Sequence, residues 1–551
     1  MRVAALLLLA ALGATTVRSV GLVGETSVTW TQARPPQVVL QHSAEGPVMA
    51  DGWSTGPLVA AQVRPVERLE LGIPIPVAVN TYTGAPPDWP AALLWTLTGS
   101  HRAVVMLHLA LGGLFIVLAH RFLRFHGSHH SGGVAALVLA TDWSFVFYRK
   151  VLGGTELLLL ASGLLVLWSL WSRRWAGGRH GAIAIAVGIG LGLMAKVTFA
   201  ITLLALGLAA LATRWDRPAL KPPPTPKVLA LAAVVLVLSA PVWVTLLHHA
   251  AVVPAVPHIQ SHDFVGLQWE RVWQGLGHLI GEGRDPGRES PATLWWFLGN
   301  PLQWFEVAYE GTPQPRVGVL RLIGWGILLG GTTLAWARRR QDRADALLRF
   351  LGIFAPLQIL GLWLVNRDLH HLAQATPTLA LWYGLATVRL VSLRANPRSL
   401  TGAALCALLA LPWCVDGALK LMRTDRVLST IAVPHFLEAG QAGLQDLVRR
   451  NGVTTLHACD YDLYGMLEPL LPEVAVVHGW GDVSRRFTER DRALTDWVEG
   501  ASGAHVLVVR RSAPMIYNLT PSPTQMAELG AVEVDRLQDQ QGWWAVLYRV
   551  P

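Results

Sequence analysis

Four groups of ionisable side chains stand out in an otherwise apolar chain. Glu25, Glu45, Asp51, Glu67, Glu70 and Asp88 fall between Gly21 and His101; Arg149 and Lys150 lie just before Glu156; Lys196 interrupts the apolar stretch Gly188–Phe199; and Arg367, Asp368, His370 and His371 crowd one short segment. A carboxylate can take the proton from an attacking hydroxyl. Arginine, lysine and histidine can hold a phosphate through charge-assisted hydrogen bonds. Each group also has a plainer reading: a lysine or arginine near a membrane interface extends its charge to water, and Glu156 beside Arg149 or Lys150 makes a salt bridge. Whether the four groups can act together depends on which side of a membrane each one occupies.

The apolar runs settle that there is a membrane to be on a side of. The chain has 551 residues, 52% of them hydrophobic and 15% charged, with a mean hydropathy of +0.39. Eleven apolar runs approach the roughly 20 residues that cross hydrocarbon: Val3–Val17, Ala103–Ala119, Val134–Tyr148, Leu157–Trp171, Ala182–Ala195, Val197–Leu211, Val228–Leu247, Val319–Ala337, Leu347–Val365, Leu372–Thr387 and Gly402–Leu421. Alternate connections are rich in basic residues: Arg121 and Arg124; Arg173, Arg174 and Arg179; Arg214, Arg217, Lys221 and Lys227; Arg338, Arg339, Arg340 and Arg343; Arg389, Arg394 and Arg398. Short basic loops stay in the cytoplasm, so the intervening segments face outward. The net charge of +9 is therefore an orientation signal rather than a nucleic-acid footprint. The first run reads either as a span or as a cleaved signal segment.

This topology gathers the four groups on the outer side. Two long outer segments result, about 21–101 and 248–318, the second carrying amphipathic tryptophan-rich stretches at Trp269–Ile280 and Thr293–Trp304 that suit the interface. Arg149 and Lys150 are expected between the third and fourth spans, Lys196 at the turn joining the fifth and sixth, and Arg367 to His371 between the ninth and tenth. Residues 1–421 form the transmembrane domain on this reading. Residues 422–551 form a soluble α/β domain outside the membrane, with strand-length runs at Thr454–Ala458, Val474–His478, His505–Val509, Val532–Val534 and Trp543–Tyr548 beside helical stretches such as Gln441–Arg450 and Arg492–Glu499. Cys406, Cys414 and Cys459 support no disulfide framework. No paired Cys/His metal spacing and no phosphate loop occurs, and Ser128-His129-His130 lies on the inner side.

Several stretches, in order, resemble the GT-C class of integral-membrane glycosyltransferases, particularly the bacterial protein O-mannosyltransferase and lipid A aminoarabinose transferase relatives. Gly72-Ile-Pro-Ile-Pro, then Asn80-Thr-Tyr-Thr-Gly-Ala and Leu97-Thr-Gly-Ser, is similar to the segment closing the family's first outer loop. Ala140-Thr-Asp-Trp-Ser-Phe resembles the end of its third span, Gly188 to Lys196 its glycine-rich turn ending in lysine, and His370-His371-Leu372 with Pro377 the start of a later span.

The resemblance implies a polyprenyl-phosphate-sugar donor and transfer at the outer face of the bacterial cytoplasmic membrane to a lipid, glycan or protein acceptor. One carboxylate base suffices, because the lipid phosphate leaves as a stable anion held by cations, and a single displacement inverts the anomeric carbon. On the resemblance Asp51 is the candidate base, with Glu45 the alternative if Ala44 occupies the family's catalytic aspartate position; the family's Asp-Glu pair is absent from the first loop. Arg149, Lys150, Lys196, Arg367, His370 and His371 are the candidate phosphate ligands. Glu156 matches an acid at the outer start of the fourth span, while Tyr82 and Asp142 are placed near the site as structural residues, Asp142 as a contact to the first loop. The residues indicate no particular cofactor; a divalent metal ion, which some of the class need, stays open, though no Asp-x-Asp pair occurs in the first loop. Two other classes fit the same composition: a catalytically inactive scaffold of envelope assembly, and a lipid or glycan transporter, which would show repeats and midplane charges.

Overall fold

A computed structural model describes residues 69–70, 74–75, 78–80, 83–84, 86–98, 101–176, 181–213, 225–252, 292–299, 318–337, 342–365, 372–430, 438–458, 467, 471, 473–478, 503–509, 521, 523–539 and 542–551. Two small hairpins come first, β1 (Leu69–Glu70) with β2 (Pro74–Ile75) and β3 (Ala78–Asn80) with β4 (Thr83–Gly84). Helices follow: α1 (Trp89–Thr98), α2 (His101–His126), α3 (His129–Thr141), α4 (Trp143–Ala176), α5 (Gly181–Ala195), α6 (Phe199–Ala212), α7 (Thr225–Val252), α8 (Ala292–Gly299), α9 (Val319–Ala337), α10 (Arg343–Val365), α11 (Thr376–Val391) and α12 (Leu400–Thr430).

Seven of the ten apolar runs from Ala103 to Leu421 fall within single helices, Val197–Leu211 and Leu372–Thr387 begin a few residues before α6 and α11, and Val134–Tyr148 is split between α3 and α4; the run Val3–Val17 lies outside the described residues. Among the described residues four helical stretches are long and apolar enough to cross a bilayer, Met106–His126, Val319–Ala337, Arg343–Leu364 and Leu400–Arg423, and four more are apolar but shorter. The protein is a multi-pass membrane protein.

One boundary differs from the sequence reading. The run Val134–Tyr148 is not one span: α3 stops at Thr141, and α4 starts at Trp143 and continues for 34 residues. Asp142 causes the break. Its backbone is extended (φ −65°, ψ 123°), and its Oδ1 accepts from the Phe145 N–H at 3.2 Å, the bond by which an aspartate caps a helix start. Arg149 and Lys150 therefore belong to α4 itself and not to a turn between spans. With only 13 residues, α3 rises roughly 20 Å, short of a full crossing.

Helix α5 is held between α4 and α7, and its glycines show why. Gly188 faces Val166 and the Ser162 carbonyl of α4, while Gly190, on the other side, faces Leu238 of α7. At Gly192 an added Cβ would lie 2.3 Å from the Phe199 ring, so the turn into α6 can fold back tightly only over glycine. Strands β3 and β4 and the 3-10 turn Pro86–Asp88 pack against α4, α5 and α7, which brings this part of the first long loop onto these helices. At the bundle's other end, His126 contacts Arg343 and Ser172, and Arg389 pairs with Asp345 at 2.7 Å.

After α12 come α13 (Glu438–Arg450), β5 (Thr455–Ala458), β6 (Ala475–His478), β7 (His505–Val509), α14 (Pro523–Glu528), β8 (Val532–Asp539) and β9 (Gly542–Arg549). They form one five-stranded sheet in the order β6-β5-β7-β9-β8. β5 runs parallel to β6 and β7, and β9 runs antiparallel to β7 and β8. One face buries Leu456, Leu507 and Leu547 against Leu444, Leu447 and Val448 of α13; the other buries Val506, Val508 and Tyr548 with Met526 of α14. Arg492–Glu499 lies outside the described residues.

Candidate active site

Lys196 and Glu156 meet. Lys196 occupies the turn after α5, where its N–H is held by the Gly192 carbonyl and its own carbonyl accepts from the Phe199 N–H, each at 3.0 Å. From that fixed backbone Nζ donates to Glu156 Oε1 on α4 at 2.9 Å, and both side chains are more than nine-tenths buried. A lone lysine inside hydrocarbon costs about 2.5 to 3.5 kcal/mol on insertion scales; the carboxylate supplies the compensating charge. Among the described side chains the partner of Glu156 is Lys196; those of Arg149 and Lys150, its neighbours in sequence, lie outside the described set.

A third residue closes the set. Gln374, in the 3-10 turn Ala373–Ala375 that leads into α11, directs Nε2 at the same Glu156 oxygen in a longer contact of 3.4 Å. Gln374 also lines a cleft, whose wall includes Phe115, Phe199 and Phe354 on its apolar sides and Gln358 and Thr202 among its polar groups. Gln358 is saturated: its Nε2 donates to Thr202 Oγ1 at 3.1 Å and its Oε1 accepts from Thr378 Oγ1 at 2.9 Å.

A second buried cluster surrounds Asp142. Its Oδ2 accepts from Arg321 Nη1 at 3.0 Å and from Trp413 Nε1 at 2.8 Å, and the Arg321 guanidinium lies 3.6 Å over the Trp413 ring. Asp416 stands 4.0 Å from Arg321 and pairs with Lys420 one turn along α12. Two acids and two bases thus tie the start of α4 to α9 and α12. Among the described residues the partners of Asp142 belong to these helices; most of the first loop, which it is expected to contact, lies outside the described residues.

No family model and no curated protein matches this chain in sequence. Solved structures do match in three dimensions. ArnT from Cupriavidus metallidurans, bound to undecaprenyl phosphate, is similar at a TM-score of 0.53 with 14% identity, over 99% of this chain and 97% of that one; its apo state gives 0.55 with 15% identity over the same shares. The fold is that of the GT-C class. The archaeal oligosaccharyltransferase AglB from Archaeoglobus fulgidus, in complex with an inhibitory peptide and a dolichol-phosphate, is similar at 0.52 with 12% identity, over 91% of this chain and 69% of that one.

Within this GT-C fold the expected residues divide into three sets. Glu156 and Lys196 come together. Arg149 and Lys150 lie on α4, on the first turns before Glu156. Asp51, Glu45, Tyr82, Arg367, His370 and His371 lie outside the described residues. Gln374, Gln358, Arg321, Asp416 and Lys420 went unremarked in the sequence reading, although Arg321 near the start of one apolar run and Asp416/Lys420 inside another carried a signal: charges within spans face partners, not lipid. As for a metal, no three His, Cys, Asp or Glu side chains converge among the described residues, and Glu156 is engaged by Lys196.

Proposed function

We propose that the protein is a glycosyltransferase that moves a sugar from a polyprenyl-phosphate-linked donor to a lipid, glycan or protein acceptor on the outer face of the bacterial cytoplasmic membrane. One observation carries the reading: the chain matches, over 99% of its length, a fold whose representative holds undecaprenyl phosphate; the buried lysine–glutamate pair, which touches the cleft residue Gln374, supports it. The dolichol-phosphate in AglB, a second protein of similar fold, supports the same ligand chemistry.

In this reading the acceptor hydroxyl attacks the anomeric carbon as its proton passes to a first-loop carboxylate, Asp51, with Glu45 the alternative. The bond from that carbon to the phosphate oxygen breaks, and the lipid monophosphate leaves as an anion. Arg149, Lys150, Lys196, Arg367, His370 and His371 share the phosphate charge. An ammonium has three N–H donors, so Lys196 keeps two after bonding Glu156, and Glu156 fixes where they point. Tyr82 and Asp142 support the site, and residues 422–551 form an extracytoplasmic domain that orients the acceptor or caps the cavity.

Full-length protein reconstituted in liposomes with undecaprenyl-phosphate-linked glucose, mannose, galactose, N-acetylglucosamine or aminoarabinose should release undecaprenyl phosphate from at least one of them when given lipid A, oligosaccharide or peptide acceptors. Absence of release from all five would contradict the proposal and favour a scaffold.

A further inference from the structure

Gln374 holds a carbonyl that nothing satisfies. Its side chain is 3% exposed, it lines the cleft, and its Oε1 has no hydrogen-bond partner among the described residues. A buried amide oxygen left without a donor is unfavourable, so such a group on a cleft residue points to a donor that enters.

The orientation of this amide is not arbitrary. An amide beside a carboxylate must present its NH2, because its oxygen would be repelled. Glu156 is pinned by Lys196 at 2.9 Å, Gln374 turns Nε2 to the same oxygen, and Oε1 is thereby forced to face away from the ion pair. The neighbouring amide, Gln358, spends both of its groups on Thr202 and Thr378, so it offers the cleft no free carbonyl.

An amide oxygen accepts and cannot donate. It therefore cannot bind a phosphate oxygen or an isoprenoid chain, the other two parts of a lipid-linked sugar. We infer that Gln374 is a specificity-determining residue whose Oε1 accepts a hydrogen bond from a hydroxyl or amino group of the donor sugar. The inference rests on the proposed lipid-linked donor and adds which protein atom reads the sugar. Lys196 and Gln374 then divide the donor between them through Glu156, one addressing the phosphate and the other the sugar.

The test compares two ligands that differ only in the sugar. Binding of undecaprenyl phosphate, and of undecaprenyl phosphate bearing glucose, mannose, galactose, N-acetylglucosamine or aminoarabinose, is measured on the full-length protein and on Gln374→Leu, with Gln374→Met as a second variant of similar length. At least one sugar should tighten binding to the unmodified protein, and both variants should lose about tenfold for that ligand while holding undecaprenyl phosphate within about twofold, tenfold corresponding to 1.4 kcal/mol. Equal loss for both ligands, or no loss for either, would overturn the role of Gln374, as would a set of sugars none of which tightens binding. If the unmodified protein binds undecaprenyl phosphate in neither form, the donor assignment itself fails.

Discussion

Lys196 and Glu156, forty positions apart in the chain, meet at 2.9 Å inside the helical bundle. Each is costly to bury alone, and each is the reason the other is tolerated. Removing one partner leaves a stranded charge, which typically costs about 3 to 5 kcal/mol, whereas replacing both with apolar groups of similar volume is often close to neutral. Lys196→Met or Glu156→Leu alone should lower the unfolding temperature in detergent sharply, and the double variant should recover most of it without recovering transfer. Recovery of transfer in the double variant would remove the pair from the reaction.

Asp51→Asn should abolish sugar transfer while leaving binding of undecaprenyl phosphate unchanged, since an amide keeps the shape and loses the basicity. Glu45→Gln should leave most of the activity. The reverse pattern would move the base to Glu45.

The turn that carries Lys196 depends on Gly192. With a methyl 2.3 Å from the Phe199 ring, Gly192→Ala has to shift that ring or the helix, at about 1 to 3 kcal/mol, and should reduce transfer by displacing Lys196. Gly207→Ala, in α6 with nothing within 4 Å of the added carbon, serves as the control and should be neutral or stabilising by up to ~1 kcal/mol. Thermal unfolding of the two variants side by side checks this.

Asp142→Ala should be the most damaging change at the start of α4. It removes the cap bond to Phe145, leaves Arg321 with only the more distant Asp416 at 4.0 Å and deprives Trp413 of its acceptor, and a loss of about 3 kcal/mol is expected. Asp142→Asn keeps an acceptor for the cap and should cost less. Denaturation in detergent, followed by tryptophan fluorescence, distinguishes them.

In the C-terminal sheet, Asp535 is held below its ordinary range by hydrogen bonds from Asn451 and Arg450, and Glu473 by one from Arg449. Depressed carboxyl pKa values mean that the folded form binds fewer protons than the unfolded one, so their stabilisation is present above the unfolded values near 4 and fades as pH falls through the folded ones. Both groups are largely exposed, so the effect should stay below about 1 kcal/mol and shrink with salt. Hydrogen exchange of the β8–β9 amides, corrected for the intrinsic rate, should loosen below about pH 4 at low salt and show less pH dependence at high salt.

Helix content was legible because apolar composition speaks for itself: each run from Ala103 to Leu421 is largely helical. The strand-length runs of the C-terminal segment likewise fall in β5 to β9, though β8 extends to Asp539, five residues beyond Val534, because Glu533, Asp535 and Arg536 are compatible with an exposed strand and hide its length. The break at Asp142 was not visible, since Trp143, Phe145 and Val146 continue the apolar run and one capping aspartate contributes little to a hydropathy window. Glu156 and Lys196 were picked out singly as ionisable groups near spans. Their pairing was not, because two positions so far apart meet only through the packing of α4 on α5 that Gly188 permits.

The balance of charge around Asp142 also bears on how the protein behaves in an energised membrane. A unit charge moved through 100 mV does about 2.3 kcal/mol of electrical work. Asp142, Arg321, Asp416 and Lys420 sum to zero with all four ionised, so a concerted displacement of α4, α9 and α12 carries no net gating charge from this cluster. Motions that open the bundle to a lipid are in this respect indifferent to voltage, and neutralising any one of the four makes them voltage-sensitive.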